Sequence, residues 1–252
     1  ILRMPQKPPF SITSKMLNLV VEISHKLGTL QVDFERHLHL RKNNRLRSIQ
    51  ASLAIENNSL TIEQVTDIID GKRVLGHPKE IREVQNAYDA YDDILTYDPY
   101  SVSDFLKAHR LLTQDLVKEA GAFRSKDVGI YNTQGQLVHM GARPQFVEYL
   151  IADLFAWAKQ DDTPALIKSA VVHYEIEMVH PFSDGNGRMG RLWQSVILSK
   201  WNPIFAWLPV ETIVYAHQPD YYQMLSQADR ENSSTVFVEF MLEVILETLN
   251  DY

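Results

Sequence analysis

Twelve consecutive residues, His180 to Arg191, hold a base that titrates near neutrality (His180), a carboxylate (Asp184), an amide between two glycines (Gly185, Asn186, Gly187) and two arginines (Arg188, Arg191). The apolar-periodic segments on either side, Ala165 to Val179 and Met189 to Lys200, read as helices, so the cluster lies in a helix–loop–helix. Its glycines then stand at the mouth of the second helix. Unpaired backbone N–H groups and the positive end of the helix dipole meet there, which makes an anion site before any side chain is counted. Arg188 and Arg191 are three apart, share a helix face and point at one bound anion. Asp184 offers the hard oxygen that Mg²⁺ takes beside a polyphosphate, and His180 is the side chain able to accept a proton at neutral pH. These are the parts for chemistry on a nucleotide phosphate. A Gly-Asn-Gly turn alone would be an ordinary loop; here several independent residue types suit the same ligand.

The elements that position this string read almost entirely as helices. Ser14 to Lys26 and Val32 to Glu56 come first, the second ending at Asn57-Asn58, which suits a left-handed C-cap. Thr61-Ile62-Glu63-Gln64 is a capping box opening a helix that stops at Gly71. Pro78 begins a helix to about Thr96, and Ser101 with Asp104 opens another to about Ala120. Between Gly121 and Arg143 the pattern changes: Val128 and Ile130 alternate with small or polar residues, a polar turn Thr133-Gln134-Gly135-Gln136 follows, then Leu137-Val138-His139-Met140, a short β-hairpin. Helices resume near Pro144, at Thr163-Pro164 (an N-cap followed by proline at the first helical position), from Pro219 to Ala228 and from Ser234 to Leu249. The expected fold is all-α with one short hairpin.

A net charge of −7 excludes a general nucleic-acid binder, and the basic stretch Arg36 to Arg47 reads as a solvated helix face. The apolar share of 45% describes a globular chain, and no apolar run reaches the ~18 residues that span a membrane. With no cysteine there is neither disulfide nor thiolate chemistry, which fits a reducing, cytoplasmic setting.

The string resembles the Fic/Doc signature H-x-F-x-[D/E]-G-N-G-R-x-x-R at every fixed position. The likeness continues in His173-Tyr174-Glu175 with Met178-Val179-His180, in Lys107-Ala108-His109-Arg110-Leu111-Leu112 with Gly121-Ala122-Phe123-Arg124, and in Asp220-Tyr221-Tyr222-Gln223-Met224-Leu225. The resemblance implies the Fic helical bundle and a protein adenylyltransferase, moving AMP from ATP to a Ser, Thr or Tyr hydroxyl of a target protein. It implies His180 as base and Asn186 as donor to the α-phosphate. The nucleotide would also be held by Gly185, Gly187, Arg188 (β-phosphate), Arg191 (γ-phosphate) and Tyr222 beside the nucleoside, with Mg²⁺ on Asp184. Phe182 anchors the loop. Val138, His139 and Met140 fall where the family's target-docking flap lies, an edge strand that can pair with an extended segment. Family members often pair, so a homodimer is compatible with the resemblance, although no residue here specifies its surface.

Ser52-Leu53-Ala54-Ile55-Glu56-Asn57 resembles the family's inhibitory motif, [S/T]-x-x-x-E-[G/N]. Ser52 and Glu56 lie four apart on one helix face, and a glutamate at a helix C-terminus needs a cation elsewhere. By resemblance that cation is Arg191, so residues 1–98 form a helical extension carrying the brake (52–57) and 99–252 the catalytic core, packed as one unit. Some relatives use this glutamate to remove AMP as well. Three other readings compete. A non-catalytic nucleotide-sensing or partner-binding module would keep the fold. A Doc-like phosphotransferase lacks the second glycine and last arginine that Gly187 and Arg191 supply here. A metal-dependent hydrolase needs a second ligand cluster, and His37 and His39, two apart, face different ways on a helix.

Overall fold

The computed structural model describes residues 4–34, 38–132 and 134–252. Part of the basic stretch (Arg36) and of the hairpin turn (Thr133), together with His37 and the His39 side chain, lies outside what is described. Among the described residues there are eleven α-helices, one 3₁₀ turn and one two-stranded sheet: α1 Ser14–Phe34, α2 Leu38–Ile55, α3 Ile62–Ile69, α4 Pro78–Asp92, α5 Val102–Thr113, β1 Gly129–Tyr131, β2 Leu137–Met140, α6 Pro144–Gln160, α7 Ala165–Val179, α8 Asn186–Trp201, α9 Val210–Ala216, α10 Gln218–Glu231 and α11 Thr235–Asn250. The all-α expectation with one hairpin holds.

The centre of the bundle is α7 packed on α8. Eleven of the 15 residues of α7 and 13 of the 16 of α8 are buried, so both helices are enclosed on nearly every side. Around them α6, α5 and α11 pack, α1 lies on α11, and α2 is wedged among α3, α4, α8 and α9. An aromatic cluster of Phe105, Phe155, Phe182 and Trp193, all fully buried, fills the space between α5, α6 and α8. No helix among the described residues is long and apolar enough to cross a membrane.

Local chemistry explains the element ends. Thr61 and Gln64 exchange the two bonds of the capping box (3.2 and 2.9 Å). At α5 only half the box forms: Ser101 accepts from the Asp104 N–H, while the Asp104 carboxylate takes the Asp98 N–H at 2.7 Å instead. That helix stops at Thr113, not Ala120, because Gln114 is extended and Asp115 left-handed (φ 62°). The buried amide of Asn86 collects the released carbonyls of Leu112 and Gln114. Pro164 is itself the N-cap of α7, one position later than expected, and Thr163 bonds Asp161 instead. The 3₁₀ turn Pro203–Ala206 and α9 are too short to show a period in the sequence.

The hairpin pairs Gly129 with Met140, Ile130 with His139 and Tyr131 with Leu137, leaving Val138 as the extra residue of a bulge. The left-handed cap at Asn57 (φ 67°) stands as expected.

Candidate active site

The second helix of the signature starts at Asn186, three residues earlier than its apolar period suggests, with Gly185 as a left-handed N-cap (φ 88°). The glycine permits that turn without a Cβ penalty. The Gly185 carbonyl accepts from Met189 N–H, so the first-turn N–H groups of Asn186, Gly187 and Arg188 have no helical partner. The open helix mouth is therefore set by the fold itself.

The loop leading to it is rigid. Asn186 is buried and uses both ends of its amide on one residue, accepting from Phe182 N–H (2.9 Å) and donating to Phe182 C=O (2.8 Å). Its expected phosphate contact would have to come from the second hydrogen of that NH₂. Phe182 is an anchor, as its apolar character implies, stacked on the His109 ring at 3.6 Å between centroids and 4° between planes. His109 donates from Nε2 to the Asp184 carbonyl (2.9 Å) and accepts at Nδ1 from Gly121 N–H (3.0 Å). Accepting at Nδ1 demands the neutral ring, and burial drives its pKa down to about 4.

That shift has a stability consequence. A histidine titrating near 4 in the fold and near 6.5 unfolded binds its proton first in the unfolded chain. Its share of stability is therefore present above about pH 6.5 and lost as pH falls to 4, about 3 kcal/mol in all. Urea unfolding between pH 7 and 4 is expected to show this acid limb in the wild type and a shallower one in His109→Gln. Equal limbs would show that the loop does not depend on the neutral ring.

His180 terminates α7 in the left-handed region (φ 52°, ψ 61°). Arg124 fixes it there: Nε donates to His180 C=O (2.6 Å), Nη2 to the carbonyls of Ala142 and Val179, and Nη1 to Lys126 C=O (2.8 Å). One buried guanidinium thus ties the base of the hairpin to the backbone of the candidate base. The His180 ring sends Nδ1–H to Glu177 C=O at 3.2 Å. A carbonyl can only accept, so Nε2 keeps its lone pair. Burial lowers the ring's pKa, which keeps it neutral and ready to take a proton.

The two arginines, expected to converge on one anion, take separate partners. Arg188 lies against Asp184 (3.4 Å), and its buried Nε has no hydrogen-bond partner among the described residues. Arg191, fully buried on α8, donates from Nε to Ser52 Oγ (3.1 Å), and from Nη2 to Ser52 C=O (3.1 Å) and to Glu56 Oε1 (2.7 Å). The contact of Glu56 and Ser52 with Arg191 is thus present. The nearby carboxylates hold the Arg191 guanidinium's pKa above its ordinary value despite burial.

Glu56 also sits over the helix mouth: a Cβ on Gly187 would lie 2.3 Å from Glu56 Oε1 and 3.1 Å from Arg191 Nη1. Gly187→Ala should therefore fold, displace Glu56 and fill the cradle that a phosphate needs. The expected result is at least tenfold weaker binding of ATP by calorimetry, even in a Glu56→Gly background (~1.4 kcal/mol); undiminished affinity would move the phosphate site elsewhere.

Asp184 accepts Gly185 N–H at Oδ1 (2.7 Å), and its side chain is half exposed. One accessible carboxylate beside a phosphate cradle fits Mg²⁺, which takes few protein ligands and completes its shell with phosphate and water. Among the described residues no group of three or more His, Asp or Glu side chains could hold a metal by itself.

His180, Glu56, Gly187, Arg191 and Tyr222 line one cleft of about 720 Å³, walled on the other side by Ile130, Tyr131, Val138 and His139 of the hairpin. Val138 and Met140 are exposed. His139 turns inward, with Nε2 on Met178 C=O (2.8 Å) and Nδ1 on Asp229 (3.1 Å), so the hairpin is tethered to α7 and α10. Tyr222 is half exposed at the cleft and donates to Ile55 C=O (3.2 Å). Beneath Arg191 runs a buried chain from Gln194 through His173 and the Tyr221 hydroxyl to Glu177, with spacings of 2.6, 2.9 and 3.3 Å. The sequence marks His109, Arg124, His173 and Tyr221 only as places of likeness; their work depends on partners up to 75 residues away, which no local pattern reports.

The Fic/DOC family profile matches residues 99–198. The crystal structure of a Fic family protein from Desulfovibrio desulfuricans G20 is 48% identical and superposes with a TM-score of 0.94, covering 98% of this chain and 76% of that one. Protein adenylyltransferase fic-1 of Caenorhabditis briggsae is 30% identical over 91% of this chain and 45% of its own length. Protein adenylyltransferase Fic of Nematostella vectensis is 26% identical over 96% and 56%. The chain spans about half the length of these curated relatives. Signature, helical architecture and the close structural likeness agree: the chain belongs to the Fic family.

Proposed function

We propose that this chain is a self-restrained protein adenylyltransferase that uses ATP. The observation that carries the reading is the His180 ring, its Nδ1 on the Glu177 carbonyl and its Nε2 without a protein partner among the described residues, sharing a cleft with Gly187 at the helix mouth and Arg191. His180 Nε2 takes the proton of a target hydroxyl as the oxygen forms its bond to the α-phosphorus. The bond from that phosphorus to the bridging oxygen breaks, and pyrophosphate leaves with the electron pair. First-turn N–H groups and the remaining Asn186 hydrogen stabilise charge on the α-phosphate, and the Arg188 guanidinium, by family resemblance, holds the phosphate next to it. Asp184 would hold Mg²⁺, which when bound neutralises phosphate charge. Main-chain pairing along β2 presents an extended target segment.

In this reading residues 1–98 supply the restraint and 99–252 the chemistry. Glu56 occupies Arg191, the group that would grip the γ-phosphate, so ATP enters in a pose unsuited to in-line attack. A carboxylate there could also activate water, making AMP removal a second activity of the same site. Intact-mass spectrometry of wild type and Glu56→Gly after ATP and Mg²⁺ tests all of this. A gain of one adenylate supports the proposal, a gain of one phosphate indicates a Doc-like transfer, and no gain in either protein indicates a non-catalytic module.

A further inference from the structure

The C-terminal turn of α2 has four carbonyls without ordinary helical partners, those of Ser52, Leu53, Ala54 and Ile55. The middle two are satisfied by the chain's own turn: Leu53 C=O accepts from Glu56 and Asn58 N–H, and Ala54 C=O from Asn57 N–H, each at 3.0 Å. The outer two are taken by side chains from other helices. Arg191 on α8 takes that of Ser52. Two residues one turn apart on α10 take that of Ile55, Gln218 through Nε2 at 3.0 Å and Tyr222 through its hydroxyl at 3.2 Å.

Ile55 C=O and Glu56 N–H belong to one peptide unit, and both its ends are bonded. The unit from which the Glu56 side chain reaches Arg191 is therefore held in place from α10. A planar peptide cannot shift one end without the other, so any movement of Ile55 C=O is passed to the backbone from which Glu56 reaches over Gly187. Nothing in the inhibitory motif itself contains these two residues; they lie more than 160 positions away.

We infer that Gln218 and Tyr222 are positioning residues of the restraint, acting through the Ile55 carbonyl to keep Glu56 on Arg191. The inference rests on Glu56 being inhibitory. It makes the docking of α2 two-sided: Arg191 grips Ser52 and Glu56 from α8, and the α10 pair grips Ile55. Loosening the α10 side frees Arg191 without altering either member of the Glu56–Arg191 pair.

The test is Gln218→Leu with Tyr222→Phe, which removes both donors while keeping side-chain volume and the Tyr222 ring. Melting temperature checks folding. Adenylate incorporation by intact mass is expected to rise over wild type, up to about 25-fold at about fivefold for each of the two hydrogen bonds lost. In a Glu56→Gly background Gln218→Leu alone should give no further gain, a dependence that a merely structural role would not produce. Amide hydrogen exchange across residues 53–58 should accelerate in the double variant. Incorporation at or below wild type, or a gain of equal size in the Glu56→Gly background, overturns the inference. If Glu56→Gly incorporates nothing, the proposed activity fails on its own, and the exchange rates decide the inference: acceleration at 53–58 supports the α10 hold, and wild-type exchange there refutes it.

Discussion

Glu56→Gly is expected to raise the initial rate of adenylate incorporation by about 5- to 150-fold, the effect of a coupling free energy of about 1–3 kcal/mol between two sites. The carboxylate removed is the one that holds Arg191 Nη2 at 2.7 Å and lies across the Gly187 cradle. Its loss frees a guanidinium that is already buried and oriented, so no reorganisation of the core is needed. Ser52 still holds the same arginine through Oγ and C=O, so the helix stays docked and the gain comes from the vacated place over the helix mouth. The comparison needs matched ATP and Mg²⁺. Equal rates for variant and wild type would remove Glu56 from its inhibitory role.

The second large effect is expected at His180. In the Glu56→Gly background, His180→Ala should lower incorporation by about 10²–10⁴-fold, the usual worth of a general base. ATP affinity by calorimetry should change little, because the helix mouth and both arginines are untouched. The wild-type rate should also fall on the acid side as the ring takes a proton. The lowered pKa places that fall at a lower pH than an unperturbed histidine would give. Undiminished transfer by the alanine variant would send the search for the base elsewhere in the cleft.

The parts of the site that were legible in the sequence are those whose meaning is local. The glycines and arginines of 185–191 sit at a helix start because the apolar period resumes there, and Ser52 and Glu56 share a face by helical spacing alone. Capping chemistry at Thr61 and the left-handed Asn57 were likewise readable, since each involves residues within one turn. The start of α8 at Asn186 was hidden because its first turn carries no apolar residue before Met189. Arg188 and Arg191 looked equivalent by spacing, yet one folds onto Asp184 and the other onto α2, a choice made by tertiary partners. His139 read as one residue of an exposed strand, and only the packing of the hairpin on α10 turns it inward to Asp229.

Residue 180 carries a further consequence. A left-handed backbone costs a side-chain-bearing residue about 1 kcal/mol relative to glycine, and here Arg124 enforces that geometry on an imidazole. Glycine at this position would release that strain while removing the imidazole and its bond to the Glu177 carbonyl, so the left-handed turn itself does not require a histidine here.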